Sequence, residues 1–167
     1  MGAGRVANDW VALVETVSNQ PFIFGSNRLA ENVGASELIH RAGTEVAREV
    51  IESLQAGRPG AVKAVLLTSG RVLVACADRE EAERFVTRLS TEWLQEVPGI
   101  GLAAAVTEGF AETPHAAVAE VHRLAAANTV LPIARFPRLP IVEGCSSTPN
   151  PASSLAKLGA DTKPVPI

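Results

Sequence analysis

Apolar positions along the chain follow two alternating periods, and each change of period marks an element. Trp10 to Val17 (W-V-A-L-V-E-T-V) is apolar on both alternating faces and rich in valine, which predicts a strand in the middle of its sheet. Phe22-Ile23-Phe24, ended by Gly25, is compatible with a short additional strand. From Ser36 onward Leu38, Ile39, Ala42, Val46, Val50, Ile51 and Leu54 recur at helical spacing, and Gly57-Arg58-Pro59-Gly60 stops that helix. Ala61 to Leu67 and Val72 to Ala77 are strand-like runs joined by Thr68-Ser69-Gly70-Arg71, which is a hairpin signal. Asp78 with Glu81 forms an analogue of the capping box. The helix it opens carries Ala82, Phe85, Val86, Leu89 and Trp93 on one face and halts at Pro98-Gly99. Ile100 to Val106 predicts a further strand. Thr113-Pro114 supplies an N-cap and a first-turn proline for a helix with Val118, Val121 and Leu124 inside.

The order strand–helix–strand–strand–helix–strand–helix predicts an α+β fold with a ferredoxin-like βαββαβ core. Such a core is an antiparallel sheet with helices on one face, here followed by a C-terminal helix. Seven of the 11 prolines lie from Pro132 onward, so residues 134–167 read as a proline-rich extended arm and residues 8–133 as the folded domain. The terminal Lys163-Pro164-Val165-Pro166-Ile167 resembles an unanchored tail, which leaves open that the chain is part of a longer protein.

Charge narrows the functional classes. The net charge of −3 argues against a strongly basic nucleic-acid binder, although it leaves a local basic patch open. No apolar run approaches the ~18 residues of a membrane span, and the N-terminus lacks a signal-peptide core, so the expected location is the cytoplasm. Cys76 and Cys145 alone can form neither a disulfide framework nor a four-ligand zinc site.

Most motif chemistry is excluded by context. Gly99-Ile100-Gly101-Leu102-Ala103-Ala104 has glycine-loop spacing but follows a helix and precedes a strand, the reverse of a phosphate-binding loop. His40, His115 and His122 lack metal-ligand spacing, and Cys145-Ser146-Ser147 is not framed as a nucleophile elbow. Glu15, the single charge in the first strand, is either a strand-end carboxylate reaching solvent or an arginine, or a site residue. Thr68–Arg71 is either a plain tight turn or part of that site. Asn27, Arg28, Glu31, Asn32 and Ser36 read as a polar rim. Gly34-Ala35-Ser36 is expected to open the helix, where its free N–H groups would attract a nucleotide phosphate or a partner carboxylate, with Arg28 as counter-charge.

The run Phe22-Ile23-Phe24-Gly25-Ser26-Asn27-Arg28-Leu29-Ala30-Glu31-Asn32-Val33-Gly34-Ala35-Ser36-Glu37-Leu38-Ile39 resembles a segment of the second palm domain of CRISPR polymerases. These are the large subunits of type III CRISPR effector complexes and their stand-alone relatives. The hairpin, Glu96-Val97-Pro98-Gly99-Ile100 and Cys145-Ser146-Ser147-Thr148-Pro149-Asn150-Pro151-Ala152 are similar to later segments of the same proteins. The resemblance implies a palm fold shared with GGDEF cyclases and nucleic-acid polymerases. In active members it implies ATP, two divalent metals and synthesis of cyclic oligoadenylate-type messengers in antiviral defence. Those members carry Gly-Gly-Asp-Asp at the hairpin, whereas this chain has Thr68-Ser69-Gly70-Arg71, with Arg71 in place of the first aspartate. Glu15 stands at the position similar to the family's first-strand acid and is the one candidate metal ligand. The resemblance therefore implies a catalytically degenerate palm that binds nucleotide or a partner through Glu15, Asn27, Arg28, Ser36, Ser69, Gly70 and Arg71. The alternative is an active nucleotidyl cyclase that uses ATP and Mg²⁺ with an atypical ligand set. Expected partners are subunits of a defence complex or a second copy of the chain.

Overall fold

Val11, Ala12, Leu13 and Val14 have no solvent exposure at all, which a strand achieves when both its faces and both its edges are covered. In a computed structural model, which describes residues 8–130, 154–158 and 161–165, this strand is β1 (Trp10–Val17). It lies between β3 (Arg71–Cys76) and β4 (Gly101–Thr107), with β2 (Val62–Thr68) beyond β3 and the short β5 (Thr129–Val130) beyond β4. All pairings in this five-stranded sheet are antiparallel. The order β2-β3-β1-β4 is that of the ferredoxin-like split βαβ unit the sequence predicts.

Strand alternation divides the interior into two cores. Ala12 and Val14 face one side, where they meet α3 (Ala47–Gly57), α4 (Arg79–Glu96) and the end of α2 (Leu29–Arg41). Val50, Ile51, Phe85, Leu89, Trp93 and Ile39 complete that core, as their helical spacing predicts. Val11 and Leu13 face the other side, which α5 (Pro114–Ala127) covers. The fully buried side chains of α5 are Ala117, Val121 and Ala125, and the expected Val118 and Leu124 are partly buried against the same core. Small residues win the centre because the helix lies close to a sheet face that itself carries Ala103 and Ala105.

Two boundaries differ from the sequence expectation. Phe22 and Ile23 lie on α1 (Asn19–Ile23), not on a strand. Their apolar run is too short for periodicity to separate the two states. The second helix starts at Leu29 instead of Ser36, so Gly34, Ala35 and Ser36 lie inside α2. Between α2 and α3 the chain makes one π-helical turn, Ala42–Val46. Of the arm, β6 (Ser154–Leu158) and β7 (Asp161–Val165) pair as an antiparallel hairpin, with Pro164 opposite Leu155. The rest of 131–153 lies outside the described residues, including Cys145–Ala152 and the arm's apolar Phe136, Leu139 and Ile141.

The predicted cap of α4 is present: Asp78 Oδ1 accepts from the Glu81 backbone N–H at 2.9 Å. Glu81 itself is carried inside, its Oε1 3.2 Å from Arg84 and 3.7 Å from Arg58. The Cys76 thiol is pushed up to about 12 by burial first and then by Glu81 and Asp78, so it stays protonated as a core residue. The Glu81 N–H, followed by Arg58, holds the Asp78 carboxyl below its ordinary range. Because the folded-state value is depressed, this stabilisation is present above the unfolded carboxylate range near ~4 and disappears as pH falls through the folded value. Asp78→Ala should therefore cost about 1 kcal/mol near neutral pH. The deficit should shrink toward zero in urea titrations carried out at progressively lower pH.

Candidate functional site

The β2–β3 hairpin folds its tip onto the end of β1. Gly70 has φ +70°, which suits glycine at a tight turn. Its carbonyl accepts from Thr16 N at 2.7 Å and from Thr16 Oγ1 at 3.2 Å, while its N–H donates to Ile39 O at 3.2 Å. A Cβ on Gly70 would overlap Thr16 Oγ1 and lie 2.9 Å from Ile39 Cγ2. The tip is thus pinned between β1 and the last turn of α2. Asn19 Nδ2 lies 3.5 Å from the same Cβ position, and Asn19 Oδ1 is buried with no hydrogen-bond partner among the described residues.

The register that fixes the tip also places Arg71 directly across from Glu15. Arg71 Nε donates to Glu15 Oε2 at 2.9 Å; the Glu15 side chain is 15% exposed and that of Arg71 51%. Both point to the α5 side, where His122 Nδ1 lies 4.0 Å from the same carboxylate oxygen. On β4 the residue opposite Glu15 is Ala103, which offers no ligand atom. Of the two outcomes open for Glu15, the carboxylate does reach an arginine, and that arginine belongs to the hairpin tip.

These residues do not form a two-metal site. Paired divalent ions need several carboxylate or other oxygen ligands on both sides of the cleft. Among the described residues no group of three His, Cys, Asp or Glu side chains is placed to hold an ion. Glu15, the single carboxylate on the strands of the five-stranded sheet among the described residues, already carries a guanidinium.

The remaining candidates lie elsewhere. Arg28 caps α2 from outside and Ile39 sits in its last turn, so the two are separated by about 16 Å along the helix. In the α1–α2 turn the Ser26 hydroxyl bonds the Glu31 carboxylate and accepts from Arg28 N at 3.1 Å. Arg28 Nε lies 3.9 Å from Glu31 Oε1. With its nitrogen turned inward, the Asn32 amide donates to the carbonyls of Ile23 at 2.8 Å and Ser26 at 3.1 Å. The polar rim therefore chiefly ties its own turn together, with Asn27 exposed beside it. Ser36 is exposed in mid-helix, where its N–H belongs to the helical ladder, so no helix terminus opens there. The structure thus brings Glu15, Ser69, Gly70 and Arg71 together and leaves Asn27, Arg28 and Ser36 outside that group. His122 and Asn19 join it unannounced. His122 has no spacing signal, and Asn19 belongs to no motif.

The strand order and the hairpin folded against the first strand define a ferredoxin-like palm. The chain is similar to chains in crystal structures of the Csm1-Csm4 cassette. In the complex with one ATP the TM-score is 0.57 at 15% identity, over 71% of this chain and 19% of that one. In the complex with cA3 the values are 0.54 and 11%, over 71% and 18%. In the complex with cA4 they are 0.55 and 11%, over 71% and 18%. At these identities the likeness establishes the fold, and this chain spans about a fifth of the length of those it matches. No protein-family model matches the chain, and no curated protein sequence matches it.

Proposed function

We propose that this chain is a CRISPR-polymerase-like palm of an antiviral defence system that binds a nucleotide without turning it over. In this reading residues 8–133 form the palm and residues 134–167 its proline-rich arm. The observation that carries the reading is the Glu15–Arg71 pair: the two positions that resemble the family's metal-holding acids are joined by an ion pair. The palm likeness to chains crystallised with ATP, cA3 and cA4 supports a nucleotide as the ligand class. In-line attack on an α-phosphate builds negative charge that two metals ordinarily stabilise. One arginine can bind a phosphate but does not acidify a ribose hydroxyl as a bound metal does.

The expected result is saturable ATP binding by calorimetry and no cyclic product after incubation with ATP and Mg²⁺ or Mn²⁺. A cyclic product lost in Glu15→Ala would mean an active cyclase with an atypical ligand set. Acid cannot be restored to the hairpin through Gly70→Asp, because its Cβ would meet Thr16 and Ile39, so the gain-of-ligand test is Arg71→Asp. A second reading, docking to a protein subunit of the complex, is favoured by Phe24, Leu29 and Val33, which are 66%, 78% and 61% exposed on α1–α2. Under it, Leu29→Asp would abolish assembly with that subunit and leave ATP binding intact.

A further inference from the structure

We propose that the Arg71 guanidinium takes the place of a divalent cation at Glu15, so that this end of the sheet receives a phosphate-bearing ligand without any metal. The inference rests on the nucleotide reading above and assigns how the phosphate is held. It starts from a charge requirement. Glu15 is largely withdrawn from water at the end of a buried strand and needs a cation beside it. Its neighbours on the same face are Leu13, Val17, Leu73 and Ala103, all apolar, and the imidazole of His122 at 4.0 Å. The guanidinium meets that need from within the chain, at a position fixed by strand register and not by a flexible loop.

The same guanidinium has donors to spare. Arginine carries five N–H groups, and Nε spends one on Glu15. Among the described residues its two terminal nitrogens have no partner, and half the side chain faces solvent. A guanidinium held at Nε by a carboxylate presents its outer edge as a fork that matches two phosphate oxygens. The exposed Ser69 hydroxyl is two residues away on the tip. A magnesium ion in the same place would need further oxygen ligands, which Ala103 and His122 do not supply, and it would be repelled by the guanidinium already there.

The test is calorimetric titration of the full chain with ATP, and separately with inorganic pyrophosphate, in excess EDTA and in excess Mg²⁺. The expected affinities agree within about twofold between the two buffers. Arg71→Ala should weaken both by about tenfold or more, with Arg71→Lys between them, because a point charge loses the fork. Amide spectra of each variant verify that the fold is kept. In parallel, Mn²⁺ added to the unaltered protein should cause no localised broadening of the amides of Glu15, Arg71 and His122. Binding that requires Mg²⁺, or Mn²⁺ broadening centred on Glu15, overturns this inference and leaves the nucleotide reading standing. Failure of both probes to bind in either buffer overturns the two together.

Discussion

Trp93→Ala is expected to lower stability by about 3–5 kcal/mol and the midpoint of thermal unfolding by roughly 10–15 °C. Trp93 is fully buried in the helix-side core, and truncation there removes a large apolar volume between α4, the sheet and the π-helical turn. Its indole Nε1 also donates to Ala42 O at 2.8 Å. That carbonyl opens the π turn and accepts from the Ala47 N–H as well. The two contributions can be separated. Trp93→Phe keeps most of the packing and removes the donor, and should cost about 1–2 kcal/mol. Urea titrations with an unchanged slope and a shifted midpoint would assign the loss to the folded state. Equal costs for the two variants would mean that the hydrogen bond, not the packing, anchors the turn.

What the sequence reveals of this fold follows the strength of each local signal. β1 is legible because a strand apolar on both faces has to be central, and the Asp78 cap because a carboxylate three residues before an N–H donor is a local device. The hairpin is legible because strand-like runs flank a short turn with glycine. The start of α2 is not: its N-cap position holds Arg28 with no side-chain cap, and Gly34 inside the helix imitates a boundary. The π turn leaves no periodic trace, since it is set by what approaches Gly43 from a distant segment. Alanines at 117 and 125 are equally silent, because small residues carry little periodic weight while a close helix–sheet contact selects them.

The site divides in the same way. Glu15 stands out as a lone charge in an apolar strand, and Arg71 stands out against the family resemblance. Their meeting is a matter of register, which neither residue encodes alone. Ser36 reads as part of an anion site only if the helix begins beside it, at Gly34-Ala35-Ser36. The helix starts at Leu29 with Arg28 at its N-cap, so the N–H groups of 34–36 belong to the helical ladder and Ser36 lies away from the helix start. Strand alternation could have indicated that Glu15 and Arg71 share the α5 face, and His122 follows from α5 once that helix is placed there.

Gly43→Ala is expected to destabilise the protein by about 2–4 kcal/mol and to disturb the Glu15–Arg71 pair although neither residue is touched. Gly43 is buried in the π turn, where a Cβ would overlap the Thr68 carbonyl oxygen and lie 2.7 Å from Gly70 N. Both obstacles are backbone, so no side chain can swing away. The hairpin tip itself has to retreat, and with it the Gly70 bonds to Thr16 and Ile39 that fix the position of Arg71. The sign of the effect is decisive, since alanine in an unobstructed helix is favoured over glycine by about 1 kcal/mol. Gly34→Ala provides that reference within the same chain: nothing lies within 4 Å of its Cβ position, and the variant should gain about 0.5–1 kcal/mol. Urea unfolding of the two variants side by side checks both signs, and ATP titration checks the consequence. Gly43→Ala should bind ATP more weakly than Gly34→Ala, because only the former moves the guanidinium. A Gly43→Ala protein as stable as Gly34→Ala would show that the hairpin tip does not press on the π turn, and the pinned geometry proposed for Arg71 would lose its support.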